Sequence, residues 1–175
     1  KDPSGNEAVS INFSFQTIAL PDSIPPAEIT TLTITNPTDT SFDLSWTAVG
    51  DDGMVGEAIS YEIRRSPTSP ESDPIAWWNN ALGLSGIPLP QKSELSEFYV
   101  ARDLSPATTY YFAIRAKDEA DNISPLALQD TQAGTTLPLP DITAPEIGDV
   151  QATNITPNSA TVTWTTSEPA TSQVE

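Results

Sequence analysis

A chain of 175 residues has room for one or two domains, and a 37% hydrophobic content suffices for an ordinary core, which excludes a wholly disordered chain. Seven Lys and Arg against 24 Asp and Glu leave a formal net charge of −17, which opposes any grip on nucleic-acid backbones or anionic lipid surfaces. Cysteine and histidine are absent, removing disulfides, thiolate metal sites and the commonest catalytic base and nucleophile.

No apolar run approaches the length of a membrane span, so no membrane insertion is expected of this segment. Seventeen prolines, abundant Ser and Thr, and no sustained 3.6-residue apolar period predict short strands and turns, hence an all-β fold.

In chain order, residues 1–17 read as a polar turn and one strand, with Ile11, Phe13 and Phe15 alternating. The turn Lys1–Asn6 has a relative in Lys117–Asn122, 116 residues on. Residues 18–26 form a proline-stiffened linker, and its Leu20-Pro21-Asp22 recurs as Leu139-Pro140-Asp141 in a second linker at 137–143. Ile29, Leu32 and Ile34 suggest a first strand, and Phe42, Leu44 and Trp46 a second. Trp46 and Trp164 lie 118 residues apart. That offset aligns 27–47 with 145–165 without a gap, matching Glu28, Ile29, Thr35, Asn36, Thr38, Ser41, Trp46 and Thr47 to identical residues. The repeat predicts one complete module at 27–136, the last strand of a preceding module at 1–17, and the opening strands of a following one at 144–175. On this reading Lys1 and Glu175 are cuts inside flanking modules, whose missing strands the same polypeptide or other chains supply.

Within 27–136, Ile59, Tyr61 and Ile63 suggest a third strand. A long proline-rich excursion at 67–96 carries Trp77-Trp78, Phe98 and Val100 mark another strand, and a last one is expected near Leu126 and Leu128. Before it comes the most regular segment of the chain. Leu104 and Pro106 make a corner, and then Tyr110, Phe112, Ile114 and Ala116 alternate with Tyr111, Ala113 and Arg115, the pattern of a strand with one buried face. Tyr110, at the head of that strand, is placed to return its hydroxyl to the upstream backbone as a tyrosine corner.

The spacing Leu-x-Pro-x-x-x-Tyr-x-Phe-x-Ile-x-Ala from Leu104 to Ala116 resembles the F-strand signature of fibronectin type III modules. Gly50-Asp51-Asp52-Gly53 and the phrase Tyr111–Asn122 resemble an elongated variety found in secreted bacterial surface proteins. The resemblance implies an immunoglobulin-like, seven-stranded, two-sheet sandwich with partial modules at both ends, and a core that includes Trp46, Tyr61, Leu104, Tyr110, Phe112 and Ile114. It also implies a non-catalytic spacer module of a tandem-repeat extracellular or cell-surface protein, with neighbouring modules or other copies in a fibre as partners. The alternatives are a module that adheres to glycans or a cell surface, and an accessory region of a secreted polysaccharide-degrading enzyme.

Two candidate sites follow from the residues. Asp51, Asp52, Asp118 and Asp121 lie in two loops that share one pole of such a sandwich, and oxygen-rich clusters of this kind suit calcium; equally, Asp, Asn and Gly are what turns demand. No cofactor is required. Trp77 and Trp78 would stack on sugar rings if exposed together, or cover a sheet edge if folded back. Asn12-Phe13-Ser14, Asn122-Ile123-Ser124 and Asn154-Ile155-Thr156 match the N-glycosylation acceptor pattern, at about the frequency that this Ser and Thr content produces by chance. No Arg-Gly-Asp tripeptide occurs.

Overall fold

Alternating apolar residues on short β-branched and aromatic segments pair into two antiparallel sheets that bury their alternate faces against each other. The structure, a computed structural model, describes residues 2–7, 13–14, 16, 20–70, 73–126 and 132–171. It divides into two units, Lys1–Pro138 and Leu139–Glu175.

In the first unit, β1 (Thr33–Thr35), β2 (Phe42–Thr47) and β5 (Ser96–Ala101) form one sheet in the order β1-β2-β5. The other sheet has the order β4-β3-β6-β7, from β3 (Ser60–Ser66), β4 (Leu82–Gly83), β6 (Thr109–Lys117) and β7 (Gln132–Thr135). Between them lie Phe42, Leu44 and Trp46 from β2 against Tyr61 and Ile63 from β3 and Tyr110, Phe112 and Ile114 from β6, with Ile29, Leu32, Ala101 and Leu104 closing the ends. Phe42 meets Phe112 edge-on at 6.0 Å. This is an all-β, immunoglobulin-like sandwich.

Several details depart from the sequence reading. Ile29 and Leu32 are buried but precede β1, because a spacing of three cannot keep one face of a strand. Ile59 stands exposed just outside β3. On β5 the faces are opposite to what hydrophobicity suggests. Cross-strand register sets Glu97 opposite the inward Trp46 and Phe98 opposite Ser45, so Glu97 is 4% exposed and Phe98 56%. Among the described residues of the first unit the last strand is β7; Leu126 is buried in a different cluster, and the expected position Leu128 lies outside the described residues. The strand at 1–17 falls largely outside them too.

β6 has two buried faces, not one. The excursion folds into a short helix, α1 (Pro74–Asn80), whose Trp77, Trp78 and following Ala81 pack with Ala113 and Leu126, and Tyr111 packs against this second cluster. Asp73 caps the helix by accepting from the Ala76 N–H at 2.9 Å, and Pro74 occupies the first turn, where no amide hydrogen is needed.

The second unit is a hairpin of β8 (Ile147–Thr153) and β9 (Thr161–Thr166). Its pairs Gln151↔Thr163, Ala152↔Val162 and Thr153↔Thr161 repeat Thr33↔Ser45, Ile34↔Leu44 and Thr35↔Asp43 at the 118-residue offset. The turn repeats as well. Asn36 and Asn154 both take a left-handed backbone, with φ of 48° and 53°. The Thr38 and Thr156 amides donate to the Ser41 and Ser159 carbonyls at 2.9 and 2.8 Å.

Candidate functional site

At the head of β6, the Tyr110 hydroxyl accepts the Ser105 N–H at 3.1 Å. That bond holds the Tyr110 hydroxyl below its ordinary acidity constant, and it closes the corner that the spacing from Leu104 predicts.

The opposite end of the sheet leads into the acidic loops. Between β2 and β3, Gly50 N donates to Gly53 O at 2.9 Å, and the segment arriving from Asp22 is pinned there by Gly53 N to Pro25 O (3.1 Å) and Ala27 N to Gly53 O (3.0 Å). After β6, Asp118 is 1% exposed and organises its own loop: its carboxylate accepts from Ala120 N, Asn122 N and Asn122 Nδ2 at 3.0, 2.7 and 2.9 Å. Asp2 does the same for Ser4 N, Asn6 N and Asn6 Nδ2, so the repeated turn keeps its bonding at the 116-residue offset.

Three of the four acids that suit calcium by sequence have separate contacts of their own. Asp118 caps its loop, Asp121 pairs with Lys117, and the Asp51 carboxylate lies against Gly56. Asp52 is exposed, and its carboxyl is pushed above the ordinary range by partial desolvation and by the charges of Asp22, Asp51, Glu119 and Asp118. Among the described residues, no three acidic side chains come together in a group able to hold a metal ion. The loops share a pole but do not converge on a cage.

The tryptophan pair is likewise occupied. Trp77 is 7% and Trp78 4% exposed; Trp77 Nε1 donates to Thr68 O at 2.6 Å, and the Trp78 ring lies within 5.0 Å of the Arg64 guanidinium carbon and 4.8 Å of that of Arg115. Their faces are closed to a sugar ring, because α1 turns both onto the outside of β3 and β6. Of the two arrangements open to the pair, the structure has the one folded back onto the sheet.

Sequence reasoning missed the arginines. Arg64, Trp78 and Arg115 form a stack, with Arg64 also held by Glu62 Oε1 at 2.6 Å from Nε and by Trp78 O at 2.7 Å from Nη1. The available signal was parity: Glu62, Arg64, Ala113 and Arg115 all fall on the faces opposite the core positions of their strands. Also missed was Glu97, which accepts from Gln91 N at 2.6 Å and Gln91 Nε2 at 3.3 Å and so ties the end of the excursion to β5. No helix among the described residues is long and apolar enough to cross a membrane.

The family model of the fibronectin type III domain matches residues 25–126. Among solved structures, the chain is 17% identical to the fibronectin type III domain of human KIAA0970 protein, covering 66% of this chain and 78% of that one with a TM-score of 0.46. It is 24% identical to the sensor domain of the anti-sigma factor RsgI4 of Pseudobacteroides cellulosolvens, covering 67% and 100% with a TM-score of 0.42. For the third fibronectin III domain of human KIAA0343 protein the identity is 13%, the coverage 76% and 99%, and the TM-score 0.47. No curated protein sequence matches the chain.

Proposed function

The chain belongs to the fibronectin type III family, and from that premise we propose that it is a non-catalytic structural module: a spacer in an extracellular or cell-surface protein built of tandem repeats, linking or displaying other domains. The observation that carries this reading is the repeated hairpin. The β8–β9 register and its turn reproduce those of β1–β2 at one fixed offset, as successive units of an array do. Prolines in both linkers limit hinge motion, and a charge of −17 favours a soluble, self-repelling surface. The adhesive alternative depended on two open tryptophan faces, and both are covered by packing.

Antibodies against the first unit test the reading. They should label intact, unpermeabilised cells of the source organism, or protein recovered from its medium. Labelling that appears only after permeabilisation overturns the extracellular role.

A further inference from the structure

Where the approach to β3 meets the end of the excursion and the loop after β6, the first unit has a groove of about 350 Å³ lined by Glu57, Ala58, Ile59, Leu89, Pro90 and Glu119. Its lining between the two acids is apolar: Ala58 and Pro90 are buried, while Ile59 and Leu89 stand 53% and 78% exposed. Bonds outside the groove fix its walls. The Ser93 N–H donates to the Gly56 carbonyl at 3.3 Å, the Ile59 N–H to the Lys117 carbonyl at 2.8 Å, and the Ala120 N–H to the Asp118 carboxylate at 3.0 Å. The groove is therefore formed before anything enters it.

Charge selects the occupant. Glu57 and Glu119 are exposed, and among the described residues neither has an ion-pair partner. No cation lines this groove, whereas the clefts at Arg65 and Arg102 and at Arg115 and Lys117 carry positive charge in their walls; Lys92, two residues beyond Pro90, stands outside the lining. Partial desolvation and the charges of Asp22, Asp51, Glu119 and Asp118 raise the Asp52 carboxyl, so the Glu119 wall belongs to a concentrated negative field. The chain's −17 attracts cations at longer range as well. An apolar lining between two acids asks for a positive head on an aliphatic stem, which lysine and arginine side chains combine. We infer that this groove docks a lysine or arginine from an extended segment of a partner protein, its stem over Ile59 and Leu89 and its head between Glu57 and Glu119. A neutral aliphatic side chain satisfies only the lining, and a short-stemmed cation only the acids.

The test is a titration of the full ¹⁵N-labelled chain at low ionic strength with the peptide acetyl-Ala-Leu-Lys-Leu-Ala-amide, following the Leu89 and Glu119 amide resonances. Saturable shifts of both are expected. Glu57→Gln and Glu119→Gln should each weaken binding about threefold and the double variant about tenfold, while Asp103→Asn, which removes a charge from the cleft at Arg65 and Arg102 instead, leaves it unchanged. Leu89→Ser reads the apolar wall at a position too exposed to decide folding, and should weaken binding severalfold. Two altered peptides divide the head from the stem: norleucine in place of lysine keeps the stem without the charge, diaminobutyrate keeps the charge on a shorter stem, and both should bind more weakly. The absence of saturable shifts, an Asp103→Asn loss equal to that of Glu57→Gln, undiminished binding in the double variant or in Leu89→Ser, or either altered peptide binding as tightly as the lysine one would each overturn the proposal.

Discussion

Trp46 on β2 meets Tyr61 on β3 edge to face, with ring centroids 5.2 Å apart and planes at 86°. This contact joins the two sheets, since each ring belongs to a different one, and it places an aromatic edge on an aromatic face as their quadrupoles prefer. Trp46→Ala should cost about 3 to 5 kcal/mol, a large share of the roughly 5 to 15 that a domain holds. Trp46→Phe keeps an edge for Tyr61 and should cost less. Urea unfolding followed by circular dichroism gives both values, and an alanine variant melting as the native chain does would exclude Trp46 from the inter-sheet core.

The same pair sets an alkaline limit. Burial pushes the Tyr61 hydroxyl from 10.0 up to about 12, with the nearby Glu97 charge adding to the effect and the Trp46 indole opposing it. The folded state therefore keeps its proton where the unfolded chain releases it. The resulting stability is fully present below pH 10.0 and is lost as pH rises through about 12. Melting midpoints across that window should fall for the native chain, and fall less steeply for Tyr61→Phe. Equal slopes would place the hydroxyl in water.

Gly50 has no room for a side chain. A Cβ there would lie 1.9 Å from the Val55 carbonyl oxygen, which is backbone and cannot rotate away. Gly50→Ala should displace the turn from Gly50 to Val55, disturb the pairing of Gly53 with Pro25 and Ala27, and cost about 1 to 3 kcal/mol. Gly83→Ala meets nothing within 4 Å and serves as the control for the general effect of adding a methyl. Thermal melts of the two variants should separate clearly.

How far the sequence could be read depended on which residues had a rule that acts locally. Phe42, Leu44 and Trp46 alternate with the polar Asp43 and Ser45, which leaves one choice of inward face, and Tyr110, Phe112 and Ile114 keep the same alternation on β6. The offset joining Trp46 to Trp164 was readable for the same reason, since repeated turns need repeated Asn, Thr and Ser. Glu97 and Phe98 were not readable: their faces are fixed by pairing with Trp46 and Ser45, a long-range fact. The helix had a local sign in Asp73-Pro74, a cap followed by a first-turn proline, but the surrounding prolines masked it. Once the helix is missed, the second buried face of β6 and the closing of Trp77 and Trp78 are missed with it. The acidic pole shows the opposite failure, because loops sharing an end of the sandwich say nothing about where each carboxylate turns.

Two acids of that pole should respond in opposite senses to neutralisation. Asp52 is exposed, and its carboxyl is raised above 3.8 by partial desolvation and by Asp22, Asp51, Glu119 and Asp118. A raised carboxyl means that the fold disfavours the ionised form, so the stability linked to Asp52 is present below pH 3.8 and lost as pH rises through the raised value. At neutral pH its charge works against the native state. Asp52→Asn should raise the melting midpoint at low ionic strength, and the gain should shrink as salt screens the repulsion. Asp118, a neighbour in the same cluster, is buried and accepts three N–H groups from its own loop. Replacing one carboxylate oxygen there with an amide nitrogen turns an acceptor into a donor facing other donors, at a cost of about 1.5 to 3 kcal/mol for a bond to a charged group. Asp118→Asn should therefore lower the midpoint, and added salt should not rescue it. Melting curves of both variants at low and high salt separate repulsion from loop capping, and a stabilising Asp118→Asn would show that the carboxylate does not organise the loop after β6.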